Sequence, residues 1–134
     1  MATSIDLVVD TSALTAILLG EPEARRLLAA LVGARSALCA PNRTELLVVI
    51  QSRLGDAGVA RAREFLAAQR VRTVALDEAL ADAAAAAYRR FGKGRHPAGL
   101  NFGDCFSYAL AARERVPLLY TGDDFARTDM GTPD

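Results

Sequence analysis

The sequence has no tryptophan, one histidine and two cysteines in 134 residues, and no net charge, since 16 lysines and arginines balance 16 aspartates and glutamates. Each scarcity excludes something. His96 alone, with Cys39 and Cys105 far apart, offers no zinc-ligand spacing. Both cysteines sit in apolar or helical stretches and read as buried free thiols. Charge balance removes any global basic footprint for nucleic acid, so such binding needs a local patch or a bound cation. No apolar run approaches the ~20 residues needed to cross a bilayer. The first residues carry no basic side chain and Asp6 interrupts their apolar stretch, which argues against a signal peptide. The expectation is a soluble cytoplasmic protein, one domain over 1–134, long enough to bury a core without staples.

What is present is a 51% hydrophobic, 24% charged chain whose apolar residues alternate between two kinds of run. Four short runs read as strands: 7–9, consistent with a buried parallel strand, then 36–40, 71–76 and 116–120. Between them the apolar spacing is helical. A helix follows Asp10, a new one starts at Glu21-Pro22, and Asn42 is placed to cap a third, broken at Gly55-Asp56. Asp77 caps a fourth, with Leu80, Ala84, Ala87 and Phe91 on one side. A fifth starts near Asp104, with Cys105, Tyr108, Ala109 and Ala112 inward. Strands alternating with helices imply right-handed β-α-β units around a central parallel sheet of four or five strands, flanked by helices in three layers.

The acids matter by position. Asp10 ends the first strand, and Asp123 and Asp124 follow the fourth. Asp104 opens a helix that runs antiparallel to the fourth strand, so it lies at that strand's carboxyl end; the same reasoning places Glu45 there. Ligands bind at the carboxyl ends of the strands of an open parallel sheet. Each acid alone has an ordinary reading: Asp104 as a helix cap, Glu45 as a solvated helix acid, Asp123-Asp124 as a turn. Together on one rim they repel, and a hard cation such as Mg²⁺ or Mn²⁺ would relieve that repulsion. Carboxylate-held metal on an open rim suits phosphodiester hydrolysis by an activated water.

These residues carry a resemblance. Val8-Val9-Asp10-Thr11-Ser12, Glu45, the block Gly92 to Tyr108 with Asn101-Phe102-Gly103-Asp104, and Tyr120-Thr121-Gly122-Asp123-Asp124-Phe125 together resemble a PIN-domain ribonuclease, more narrowly a VapC-type toxin of type II toxin–antitoxin systems. The resemblance implies an endoribonuclease dependent on Mg²⁺ or Mn²⁺, with Asp10, Glu45, Asp104 and Asp124 catalytic. It implies Asp10, Asp104, Asp124 and Asp123 as metal ligands, and Ser12 in support. Many relatives place the fourth acid where Gly122 stands here, so Asp124 is favoured and Asp123 held in reserve. The implied partners are RNA, a VapB-type antitoxin and a second copy in a homodimer, with Leu18, Leu19 and Leu28 available to line such surfaces. The chain also stops soon after Asp129, leaving little for a fifth strand, and 130–134 reads as a short polar tail.

RNA contact is expected from the basic, glycine-rich loop, through Lys93, Arg95 and His96, with Arg89 and Arg90 just before it. The competing reading of these cations is a solvated helix end. The alternative function is a non-catalytic PIN-like module that binds RNA or protein, although such a module has no chemical need for the full acid set. A haloacid-dehalogenase-type phosphotransfer fold would want a second aspartate where Ser12 stands.

Overall fold

The structure, a computed structural model, describes residues 4–130. Within them lie four strands and five helices: β1 (Leu7–Val9), α1 (Thr11–Leu18), α2 (Ala24–Leu31), β2 (Ser36–Cys39), α3 (Ala40–Ala68), β3 (Arg72–Val74), α4 (Glu78–Phe91), α5 (Phe102–Glu114) and β4 (Leu118–Leu119). A 3₁₀ turn, Phe125–Arg127, follows. The sheet order is β3-β2-β1-β4 and every pairing is parallel. Four strands are described, not five; residues 131–134 of the expected tail lie outside the described residues.

The period of two along each strand splits the apolar residues between two cores. Val8, Ala37, Cys39 and Leu118 face one side, where they pack with Leu80, Ala84, Ala87 and Phe91 of α4 and with α5. Leu7, Val9, Leu38 and Leu119 face the other, against Leu14 of α1, Leu27 and Leu31 of α2, and Leu46 and Ile50 of α3. Each fully buried leucine or isoleucine contributes about 1.5–3 kcal/mol. This is the three-layer α/β arrangement that the alternating pattern implies. Strand β1 lies between β2 and β4, so the chain crosses over on either side of it and a crevice opens at its carboxyl end.

Several boundaries move. Asn42 does not cap α3: the helix begins at Ala40, with Cys39 at the N-cap and Pro41 in the first turn. Proline's missing N–H costs nothing there, so it starts the helix as well as ending the strand. Gly55 does break α3, adopting φ 69° and ψ −166° between two helical stretches. Helix α2 starts at Ala24, after Glu23, rather than at Glu21-Pro22. Asn101, not Asp104, caps α5. Ala112 is exposed, one residue past the buried Ala111. Both cysteines are buried free thiols, pushed up to about 11 by burial. Leu18 and Leu19 are half-buried against the second core rather than open, and Leu28 is half-buried as well. No helix among the described residues is long and apolar enough to cross a membrane.

Candidate active site

Asp10 lies at the carboxyl end of the central strand and is 3% exposed. It is also the N-cap of α1, where its Oδ2 accepts from the Ser12 N–H at 3.0 Å. Its other oxygen, Oδ1, accepts from the Ser107 hydroxyl at 2.5 Å. Burial nonetheless raises its pKa; the hydrogen bonds from Ser107 and Ser12 oppose that shift, and the Glu45 charge adds to it. Ser12 plays a structural part, its Oγ accepting from the Thr121 N–H at 3.1 Å and tying the end of β4 to the start of α1.

Two residues that the sequence pattern does not mark as part of the site complete this floor. Asn42, fully buried, donates through Nδ2 to the Gly103 carbonyl at 2.9 Å and to Glu45 Oε1 at 3.5 Å. That fixes its amide, so Oδ1 faces the Ser107 hydroxyl at 3.1 Å. Thr11 Oγ1 donates to the Asn42 carbonyl at 3.1 Å, joining α1 to α3. Ser107 therefore has two acceptors and one proton. The hydroxyl is shared between them, and its bond to Asp10 favours the ionised carboxylate against the effect of burial. Spacing is the available signal: Asn42 and Ser107 stand three residues from Glu45 and Asp104, the separation that puts side chains on one helix face.

Glu45 projects from the first turns of α3 onto the start of α5. A Cβ at Gly103 would lie 2.7 and 2.8 Å from the two Glu45 carboxylate oxygens, so any side chain there would push this carboxylate out of its present position. Asp104 sits one residue on, 9% exposed. It is the third residue of a capping box: its Oδ2 accepts from the Asn101 N–H at 3.0 Å while its own N–H donates to Asn101 Oδ1 at 2.9 Å. Its pKa is pushed up to about 8, first by burial, then by a hydrogen bond with the Asp124 carboxyl, with the Asp10 and Asp124 charges adding to both. Asp124, half-buried, thus meets Asp104, whereas its neighbour Asp123 is exposed. The structure brings Asp10, Glu45, Asp104 and Asp124 to one place.

The donors fit a hard cation. They are all carboxylate oxygens, and two of them, Asp10 and Asp104, bear raised pKa values chiefly because they are buried, with the charges of neighbouring acids adding to it, a conflict that a divalent ion relieves. Among the described residues no three of these acids are close enough to enclose an ion by themselves. Mg²⁺ does not ask for that: it uses one or two carboxylates and keeps waters and substrate phosphate as its other ligands.

The basic loop closes through the Gly92–Leu100 bridge and leads into Asn101, the cap of α5. Lys93 and Arg95 are exposed, whereas His96 is half-buried. Its ring stands edge-on to Phe91 at 5.0 Å, and Nδ1 accepts from the Ala98 N–H at 3.0 Å. Arg90 stacks on Phe91 at 4.6 Å and reaches Asp129 at 3.8 Å, and Asp129 also accepts from the Tyr108 hydroxyl at 2.5 Å.

A parallel sheet ordered 3-2-1-4, with acids from β1, α3, α5 and the β4 turn on one rim, is the arrangement of a PIN domain, and the PIN domain family matches residues 7–130. The ribonuclease VapC30 of Mycobacterium tuberculosis is 46% identical over 127 residues, covering 94% of this chain and 97% of that protein. The chain belongs to the PIN-domain family, among its VapC ribonucleases. In fold it is similar to Mycobacterium tuberculosis VapC20, a toxin that cleaves the sarcin-ricin loop (TM-score 0.75, 20% identity, 93% of this chain and 96% of that one). It is also similar to VapBC2 of Rickettsia felis, whose structure holds a fragment of promoter DNA (TM-score 0.74, 11% identity, 97% and 98%).

Proposed function

We propose that this protein is an endoribonuclease toxin that hydrolyses RNA phosphodiester bonds with Mg²⁺ or Mn²⁺, restrained by a cognate VapB-type antitoxin. The observation that supports it most is the four-acid rim, held in place by Asn42, Ser107 and the glycine at 103. Asp10, Asp104 and Asp124 are the proposed metal-holding carboxylates, with Glu45 beside them. A divalent cation there would lower the pKa of the attacking water and offset charge on the phosphate. Asp10 is aimed by Ser107 and the Ser12 N–H, and Asp104 by the Asn101 N–H, so neither carboxylate must reorganise as substrate arrives. VapC30 is named a ribonuclease, and its similarity over nearly the whole chain supports the reaction class.

Purified protein incubated with total RNA and Mg²⁺ is expected to cut at discrete sites, mapped by end sequencing, and not to cut in EDTA. Cutting undiminished by EDTA would overturn the metal-dependent reading. Lys93 and Arg95 are proposed to neutralise backbone phosphates near the rim. Changing both to alanine is expected to weaken RNA binding and make its salt dependence shallower, by roughly 0.7 in the log–log slope for each lost contact with a single strand. An unchanged slope would remove the loop from the RNA path.

A further inference from the structure

The strongest feature left unused by the acid rim is an aromatic groove between α4 and α5, with a volume of about 640 Å³. Phe102 is 79% exposed, the most open large apolar side chain among the described residues. It is the first residue of α5, two positions before Asp104, and Asn101 between the groove and the rim is the capping partner of Asp104. Its ring is braced edge-on by Phe106 at 4.9 Å, so it is held out rather than collapsed. Across the groove stands Tyr88, 40% exposed, whose hydroxyl donates to the Lys93 carbonyl at 3.2 Å. Lys93 is the one ionic side chain lining the groove among the described residues.

An exposed phenylalanine is costly in water, and folding gains nothing from holding this one open. The floor is apolar, the walls are two aromatic rings, and the mouth carries a cation without a carboxylate. This combination recognises an unpaired nucleobase stacked on a ring, with its phosphate at the ammonium. The first turn of α5 joins this surface to the acids, since Asn101 lines the groove and caps with Asp104. A second copy docking here through an isologous contact would bring two cationic mouths together.

We propose that Phe102, Tyr88 and Lys93 form a nucleobase subsite, in which a base flanking the scissile phosphate stacks on Phe102 in single-stranded RNA. This rests on the ribonuclease reading and adds to it the residues that would hold a base beside the cleaved phosphate, a base that must be unpaired to offer a free face.

The test uses short single-stranded RNAs of mixed sequence, each with 2-aminopurine at a different position, bound to the whole protein in EDTA to prevent turnover. Fluorescence quenching is expected at a narrow set of positions. Phe102→Leu, apolar but not aromatic, is expected to lose the quenching and weaken binding about five- to a hundredfold, as the loss of one stacked base does. Phe102→Tyr is expected to retain both. Removing the base at the quenched position should weaken the wild-type protein but hardly affect Phe102→Leu. Binding by Phe102→Leu equal to wild type overturns the subsite while leaving the ribonuclease reading intact. A change in that variant's mass in sedimentation, with RNA affinity unchanged, assigns the face to protein association and overturns the subsite too. Wild-type protein that neither binds nor cuts RNA overturns the ribonuclease reading, and the subsite with it.

Discussion

Asp104→Asn and, separately, Asp10→Asn are each expected to reduce RNA cleavage by more than about 100-fold, measured as initial rate at saturating Mg²⁺ with the same RNA. The scale follows from position. Changing a group one step removed from a metal typically costs about 10–100-fold, so a direct carboxylate ligand should cost more. Asparagine is nearly isosteric: at 104 its carbonyl still accepts from the Asn101 N–H, and at 10 its carbonyl accepts from the Ser12 N–H while its amide donates to the Ser107 oxygen, whose proton goes to Asn42, so the fold should persist. The variants should therefore melt cooperatively and keep native circular dichroism. Cleavage surviving in both would remove these residues from the chemistry. Ser107→Ala is the informative contrast. It aims Asp10 without itself being proposed to touch the metal or the phosphate, so its loss should fall within the smaller range and show partial relief at high Mg²⁺.

Much of this rim is legible in the residue order. Strands are visible because β-branched and apolar residues cluster in short runs, and α4 is visible down to its buried face because Leu80, Ala84, Ala87 and Phe91 repeat at helical spacing. Asp10, Glu45 and Asp104 can be placed on one rim because chain direction in a β-α-β unit fixes which end of each helix meets the strand ends. Direction does not choose Asp124 over Asp123. Adjacent residues in a turn point differently, and the choice depends on backbone torsions between Thr121 and Phe125 that the residue types do not dictate.

Asn42 departs from expectation for a physical reason. Asparagine is a strong N-cap residue, and Pro41 before it suits the end of a strand. Proline is equally at home inside the first turn, so α3 begins earlier and Asn42 is released to bridge Glu45, Gly103 and Ser107. Asp104 is similarly ambiguous as a cap. In the structure it satisfies the Asn101 N–H and still carries a raised pKa, so the contact that caps the helix also fixes a carboxylate of the rim. Local rules assign one role per residue, whereas buried polar residues at this rim each serve two.

The second large effect is on stability against pH in the metal-free protein. Asp104 is pushed from the ordinary carboxylate value of 3.8 to about 8, by burial and by Asp124, and Asp10 is raised as well, chiefly by burial. Between 3.8 and about 8 the folded state thus binds more protons than the unfolded chain. Stability then falls as pH rises through that window, the reverse of a salt-bridged carboxylate. The favourable contribution is fully present near the lower limit and is lost as pH passes the folded value. The expected loss is on the order of a few kcal/mol, at roughly 1.4 kcal/mol for each tenfold difference in proton affinity between the folded and unfolded states. Each kcal/mol moves the melting temperature by about 2–8 °C for a small domain. Thermal melts in EDTA across this range should show the decline, and Asp104→Asn, which carries no ionisable group there, should flatten it. Mg²⁺ should raise the melting temperature most at the alkaline end, because its binding requires the ionised carboxylates that destabilise the metal-free fold. A metal-free melting temperature that rises with pH through the window would mean that the rim is solvated enough to ionise freely. Burial would then not be what ties these four acids to a cation.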